Sequence, residues 1–247
     1  EYLDKPVMIH IGGTSHDIEE ILGQLRGGDI VTHSFTANPP GIVTDAGAVV
    51  PAALEARARG VVFDVGHGAG SFGFNVAEAA MEHNFTPTTV SSDVHRYNVR
   101  GPVYDLATTL SKFLHLGLSL DEVVRLAPYA PANAVGRGDQ FGTLKVGADA
   151  DVSVMRMEEG SFKFTDAPGD VRIGDRLLVP VVTLRAGRRH APTYGVHPDL
   201  LDHQHSHACP LLPKKLRHGI PDPAYSQSRR FGWRSRSETP PFCAAWI

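Results

Sequence analysis

Val61-Val62-Phe63-Asp64-Val65-Gly66-His67-Gly68 and, further on, Thr88-Thr89-Val90-Ser91-Ser92-Asp93-Val94-His95 decide how this chain is read. Each begins as a short β-branched run and ends in glycine or in side chains able to ligate a metal or move a proton. The C-terminal end of a buried parallel strand in an α/β enzyme has this form. Two earlier segments repeat it, Val7-Met8-Ile9-His10 and Ile30-Val31-Thr32-His33. From His10 through His33 and His67 to Asp93 the intervals are 23, 34 and 26 residues. One strand, one helix and two loops of a βα barrel take roughly 30 residues, so the spacing predicts successive βα units.

The segments between these strands read as helices. Residues 17–26 carry Ile18, Ile21, Leu22 and Leu25 on one helical face, and Gly27-Gly28 stops the run. Residues 49–59 follow, with Pro51 tolerated in the first turn and Gly60 at the end. Residues 75–83 and 103–116 are predicted helices. Ser119-Leu120-Asp121-Glu122 is a capping-box pattern opening another, and 131–135 forms a last short one. Past Phe141 the period changes, and 151–157, 162–165 and 179–185 read as short strands. From Pro192 on no periodicity is sustained, which predicts a disordered or loosely packed tail. The expected organisation is 1–140 as βα units, 141–191 as a small β region and 192–247 as an irregular tail rich in Pro, His and Arg.

Of the 247 residues, 42% are hydrophobic and 21% charged, enough apolar chain for a real core. The net charge of −3 favours no nucleic-acid partner. A basic coil with interleaved Phe231 and Trp233 beside Arg229, Arg230, Arg234 and Arg236 is weak evidence for one. No run of about 18 apolar residues suggests a membrane span, and the acidic, polar start is no signal peptide. Cys209 and Cys243 cannot form a disulfide framework, so a reducing cytoplasm is the expected compartment. The opening residue, Glu1, points to a fragment or a processed product.

His10 and His33 end neighbouring predicted strands about 4.8 Å apart. Neutral imidazole is the commonest protein metal ligand, and two such rings can share one ion at Zn–N distances of about 2.0–2.1 Å. Asp93, at a third tip, can ligate the metal, take a proton from bound water, or do both in turn. Three separately satisfied polar residues at loop mouths are the alternative. His67, between Gly66 and Gly68, reads as a substrate-side residue or as a turn histidine bonded to nearby backbone. His95 shares the face of Asp93 if the strand continues, which suits a supporting or substrate role. Asp64, at the start of the glycine loop, reads as orienting His67 or, more simply, as a structural carboxylate. Lys112, Tyr104 and Asp105 read as helix-face residues. His203, His205 and His207 read as a His-rich tail.

With these motifs in place the chain resembles the amidohydrolase superfamily, nearest its deacetylase and dihydroorotase-like branch. Val7–Gly12, Asp29–His33, Phe63–Phe72, Ser91–His95 and Gly101–Leu106 carry the resemblance, together with Pro131-Ala132-Asn133-Ala134 and the run from Gly142 to Val152. It covers about residues 5–190. It implies an α/β fold, specifically strands five to eight of a partial TIM-type (β/α) barrel followed by part of a small β-sandwich. His10 and His33 then correspond to the strand-five and strand-six metal ligands, and Asp93 to the strand-eight aspartate, both ligand and general base. His67, Gly68 and His95 fall where substrate contacts are expected. The implied cofactor is Zn(2+), one or two ions, and the implied partner a small-molecule amide or ester, with a homo-oligomer possible. The superfamily also carries a His-x-His pair on its first strand and a carboxylated lysine on its fourth, for which this sequence offers no counterpart. The expectation is therefore a C-terminal portion, poorly active alone. Two other readings stay open: a catalytically inactive remnant acting as an association module, and a single-metal deaminase of the same fold.

Overall fold

Three strands form the parallel sheet: β1 (Met8–His10), β2 (Ile30–Thr32) and β3 (Val62–Phe63), in the order β1-β2-β3. The register pairs Met8 with Ile30 and Ile30 with Val62. The computed structural model describes residues 5–190, 196–201 and 243–246. The fourth strand expected at 88–92 is reduced to a single parallel bridge, Asp64 with Thr89. Its start is irregular because the N–H groups of Thr88 and Thr89 both donate to the one Phe63 carbonyl, at 2.8 and 3.3 Å. Further along it runs beside the glycine loop, with His67 N donating to Ser91 O and Gly68 N to Ser92 O. The fold is α/β, and among the described residues the parallel sheet stays open rather than closing into a barrel.

Helices follow each strand as predicted, slightly shortened: α1 (Ile18–Gly23), α2 (Pro51–Ala58) and α3 (Phe74–Glu82). Their buried faces, Ile18 and Leu22, Ala53 and Ala56, and Phe74, Ala77 and Ala80, recur at three or four residues, as packing on a sheet demands. Helix α4 (Leu106–His115) differs. Every residue from Ala107 to Leu114 is buried. It lies between the βα layer and the β region, so it has no solvated face. Asp105 caps its N-terminus by accepting from Thr108 N at 2.7 Å. Ser119 and Glu122 close the predicted capping box on α5 (Leu120–Val124). A π-turn over Arg125–Tyr129 carries Pro128 into α6 (Ala130–Ala134).

The β region is one long hairpin, β4 (Val152–Thr165) against β5 (Val171–Arg185), extended by β6 (Arg188–His190). The separate short strands expected at 151–157 and 162–165 are therefore one strand, interrupted by a register shift between Glu159 and Phe162. A second shift, between Val154 and Met155, lies opposite Pro180, a residue with no N–H to give the ladder. Phe162, Phe164, Leu177, Leu178 and Val179 join the buried core. Ser111 of α4 ties the two layers together, accepting from Leu178 N at 2.9 Å. The carboxylate of Asp166, in the hairpin turn, caps α3 through Phe74 N at 2.8 Å.

Within the stretch expected to be an irregular tail, the described parts pack on the body. A 3-10 turn at Pro198–Leu200 buries Leu200, Leu201 bridges Phe162, and β7 (Cys243–Trp246) pairs antiparallel with β4. The tail histidines 203, 205 and 207 and the arginine cluster at 229–236 lie outside the described residues. No helix among the described residues is long and apolar enough to cross a membrane.

Candidate active site at the strand tips

His10 ends β1 and His33 immediately follows β2, so parallel pairing alone carries their side chains to the same edge of the sheet. The two rings meet edge to face, centroids 4.3 Å apart and planes at 76°. His10 is exposed, whereas His33 is buried. His33 takes a left-handed backbone, φ 66°, a region a β-carbon disfavours, and this turns its ring off the strand axis. Its Nδ1 lies 2.5 Å from the Gly66 carbonyl oxygen. A carbonyl only accepts, so Nδ1 carries the proton, and in the neutral ring Nε2 keeps its lone pair. A ring held in this way is prepared as a metal ligand.

Asp93 also has a left-handed backbone, φ 45°, and ends the segment beside β3. Its side chain is exposed. A β-carbon at Gly68 would lie 2.8 Å from its Oδ2, so the carboxylate rests against the glycine loop. The Asp93 carbonyl accepts from Asn98 Nδ2 at 2.9 Å. Gly66 is equally constrained: at φ +48° its β-carbon would sit 2.8 Å from His33 Nδ1.

Two neutral imidazoles on adjacent strand tips fit a shared divalent metal in chemistry and in separation. Among the described residues, however, no group of three or more His, Cys, Asp or Glu side chains could hold a metal ion. The structure brings His10 and His33 together, and among the described residues Asp93 joins them in no such group. The left-handed turn at Asp93 lays its carboxylate on Gly68 instead.

Four other candidate residues lie around this pair. His67, read as a substrate-side residue or a turn histidine, is fully buried behind the mouth and stacks on Phe72 at 4.6 Å. Its Nδ1 lies 2.9 Å from the Gly68 carbonyl, which keeps the turn-histidine reading and adds a partner, Lys112 Nζ at 2.6 Å from Nε2. Gly68, expected to contact substrate, is itself buried beneath Asp93. At His95 the strand has already stopped: its N–H donates to Asn98 Oδ1 and its Nδ1 accepts from Tyr97 N. Asp64 does not orient His67. Its carboxylate accepts from Thr32 Oγ1 at 2.8 Å, Thr89 Oγ1 at 2.7 Å and Ser91 Oγ at 2.6 Å, binding β2 and the fourth segment to β3.

Lys112 is the residue the sequence reading missed. It is fully buried, not on a solvated helix face, and also donates to Pro102 O at 2.9 Å and Thr165 O at 2.7 Å. Burial pushes its ammonium down to about 7, opposed by Asp166. Burial, and then the Lys112 charge, push the His67 imidazole down to about 3. The signal was available: from Leu106 to Leu114 the helix has no other charge, so one lysine among small and apolar residues has to find buried partners.

The chain has clear relatives among known proteins. The amidohydrolase family model matches residues 1–173. A deacetylase of Enterococcus faecalis is 36% identical over 185 residues, 74% of this chain and 50% of that protein. A deacetylase of Agrobacterium fabrum is 35% identical over 178 residues, 72% of this chain and 44% of that protein. Among solved structures, an adenine deaminase superposes with a TM-score of 0.73 at 35% identity, covering 76% of this chain and 51% of that one. A dihydroorotase does so with 0.68 at 34% identity, covering 75% and 48%. The chain spans about half the length of the relatives it matches. It belongs to the amidohydrolase family.

Proposed function

We propose that the strand-tip mouth belongs to a metal-dependent hydrolase of amide or ester carbonyls, with deacetylation of a small molecule as its reaction and the cytoplasm as its compartment. The observation that carries this reading is the His10–His33 pair, with His33 locked by Gly66 so that one ring nitrogen is free to ligate. These two residues would hold the metal, which we take to be zinc. Bound there, the ion supplies a Lewis acid that lowers the pKa of water and polarises a carbonyl. The exposed carboxylate of Asp93 takes a proton from the attacking water and returns it to the leaving group. Gly68, lacking a β-carbon, leaves that carboxylate its place at the rim. The two deacetylase relatives support acetylated substrates.

Zinc titration of the full chain tests the metal site, with His203, His205 and His207 replaced so that the tail does not compete. His10→Ala and His33→Ala should each weaken zinc binding at least tenfold. A parent that binds no zinc, or variants that bind as well as it does, ends the reading. Asp93→Asn should abolish release of acetate from N-acetyl substrates without lowering zinc affinity. The superposition on an adenine deaminase favours a second reading, hydrolytic deamination at the same mouth. Ammonia release from aminated heterocycles, with no acetate from N-acetyl compounds, would select it.

A further inference from the structure

The segment Gly66-His67-Gly68 supports the mouth from below. The Gly66 carbonyl fixes the His33 ring, and the Gly68 N–H bonds the Ser92 carbonyl, next to Asp93, while leaving room for the Asp93 carboxylate. Both glycines have positive φ, 48° and 57°, and no side chain with which to hold themselves. The one side chain in the segment is His67, which points away from the mouth into the core. There its Nε2 meets Lys112 Nζ at 2.6 Å. An ammonium only donates, so Nε2 accepts and the ring proton sits on Nδ1, 2.9 Å from the Gly68 carbonyl. The other two donors of the ammonium go to Pro102 O, ahead of α4, and to Thr165 O, at the end of β4. All three are therefore used, and the direction of the Lys112 head group is fixed by parts of the chain far apart in sequence.

We propose that Lys112 is a positioning residue for the mouth: through His67 it sets the Gly66–Gly68 backbone, and through that backbone the tautomer and aim of His33 and the seat of Asp93. Lys112 touches neither substrate nor metal. The proposal rests on the reading of His10 and His33 as the metal pair, and it extends that pair's support to helix α4 and the β hairpin. The depressed titration of His67 agrees with a neutral ring accepting from Lys112.

The test uses the metal-free full chain with 15N-labelled histidine rings, so it does not depend on activity or on zinc. In the wild type, His33 and His67 should each show one tautomer at neutral pH, protonated at Nδ1 and bare at Nε2. Lys112→Met should turn the His33 signature into an average of both tautomers. Ser111→Ala, which removes the neighbouring bond to Leu178 N, should leave it unchanged. In zinc titrations Lys112→Met should lose roughly tenfold to a hundredfold in affinity, as lost supporting partners do. An unchanged His33 signature in Lys112→Met overturns the proposal, and so does the same averaging in Ser111→Ala. Should Lys112→Met fail to fold, the wild-type spectrum still decides: a His67 ring protonated at Nε2 could not accept from Lys112. A wild type that binds no zinc but shows both predicted tautomers sinks the metal reading and leaves the positioning role standing.

Discussion

Replacing Asp64 by Asn changes one atom in the core and tests what holds the strand tips in register. The carboxylate is buried, with Thr32 and Ser91 donating to one oxygen and Thr89 to the other. Hydrogen bonds to a charged group are worth about 1.5–3 kcal/mol and neutral ones about 0.5–1.5 kcal/mol. Three bonds changed from the first kind to the second give a loss of about 3 kcal/mol. Burial refines this figure. Thr32 and Ser91 are half-exposed and can turn to water, whereas Thr89 is 4% exposed. If the new amide nitrogen faces Thr89, that hydroxyl can accept but its own proton is stranded. The expected loss is therefore about 2–4 kcal/mol, and more for Asp64→Ala, which strands Thr89 outright. Urea unfolding followed by far-UV circular dichroism measures it, with an unchanged slope indicating an unchanged extent of unfolding. Amide exchange should quicken at Val65 and His67, whose N–H groups bond across to Thr89 and Ser91. A loss below about 0.5 kcal/mol, the range of an ordinary surface substitution, would refute the role given to this carboxylate.

Gly66→Ala should displace His33, since its β-carbon would crowd both Thr32 Oγ1 and His33 Nδ1 at a backbone angle of +48°; zinc titration should show at least a tenfold loss, and wild-type affinity would contradict it. Arg172 grips Glu78 with two bonds of 2.7 and 2.8 Å, joining β5 to α3, but both side chains are about one-third exposed. A double-mutant cycle with Ala at each should give a coupling of roughly 0.5–1 kcal/mol that fades in high salt. His67 and Lys112 have folded pKa values of about 3 and about 7, below their ordinary 6.5 and 10.5, so the unfolded chain binds more protons between pH 3 and 6.5 and between pH 7 and 10.5. Stability should rise with pH through both windows, by on the order of a few kcal/mol in each, and urea melts of Lys112→Met should lose the alkaline rise; a wild type that weakens relative to this variant from pH 7 to 9 would refute the assignment.

Periodicity made the helices legible. The faces of α1, α2 and α3 bury the residues their spacing selects, and the capping box at Ser119 starts α5 where its pattern says. The strand tips were legible as well, because a β-branched run ending in His announces itself. What the sequence hid was direction. Whether His67 points to the mouth or the core depends on the left-handed turns at Gly66 and Gly68 and on a lysine 45 residues away, and no local pattern reports either. The β hairpin was half-read for a similar reason. Residues 171–176 hide their strand because the apolar Val171 and Ile173 take the exposed positions, and Leu177, Leu178 and Val179 are then buried in succession.

The shortness of the parallel strands explains the mouth. Strands of three, three and two residues give a ladder too small to set the aim of a side chain at its end. The aim is set at the first residue past the ladder, where His33 and Asp93 both turn left-handed and send their side chains sideways off the strand axis. Such a conformation costs on the order of 1–3 kcal/mol for a residue with a β-carbon, so something has to hold it. At His33 the bond from Nδ1 to Gly66 does so, and at Asp93 the Asn98 side chain on its carbonyl together with the bond from Gly68 N to the adjacent Ser92 carbonyl. Two of those three supports belong to the one glycine loop. A single displacement of that loop must therefore disturb both the imidazole pair and the carboxylate, and a variant that alters the aim of His33 while leaving Asp93 untouched would show that the two halves of the mouth are held independently.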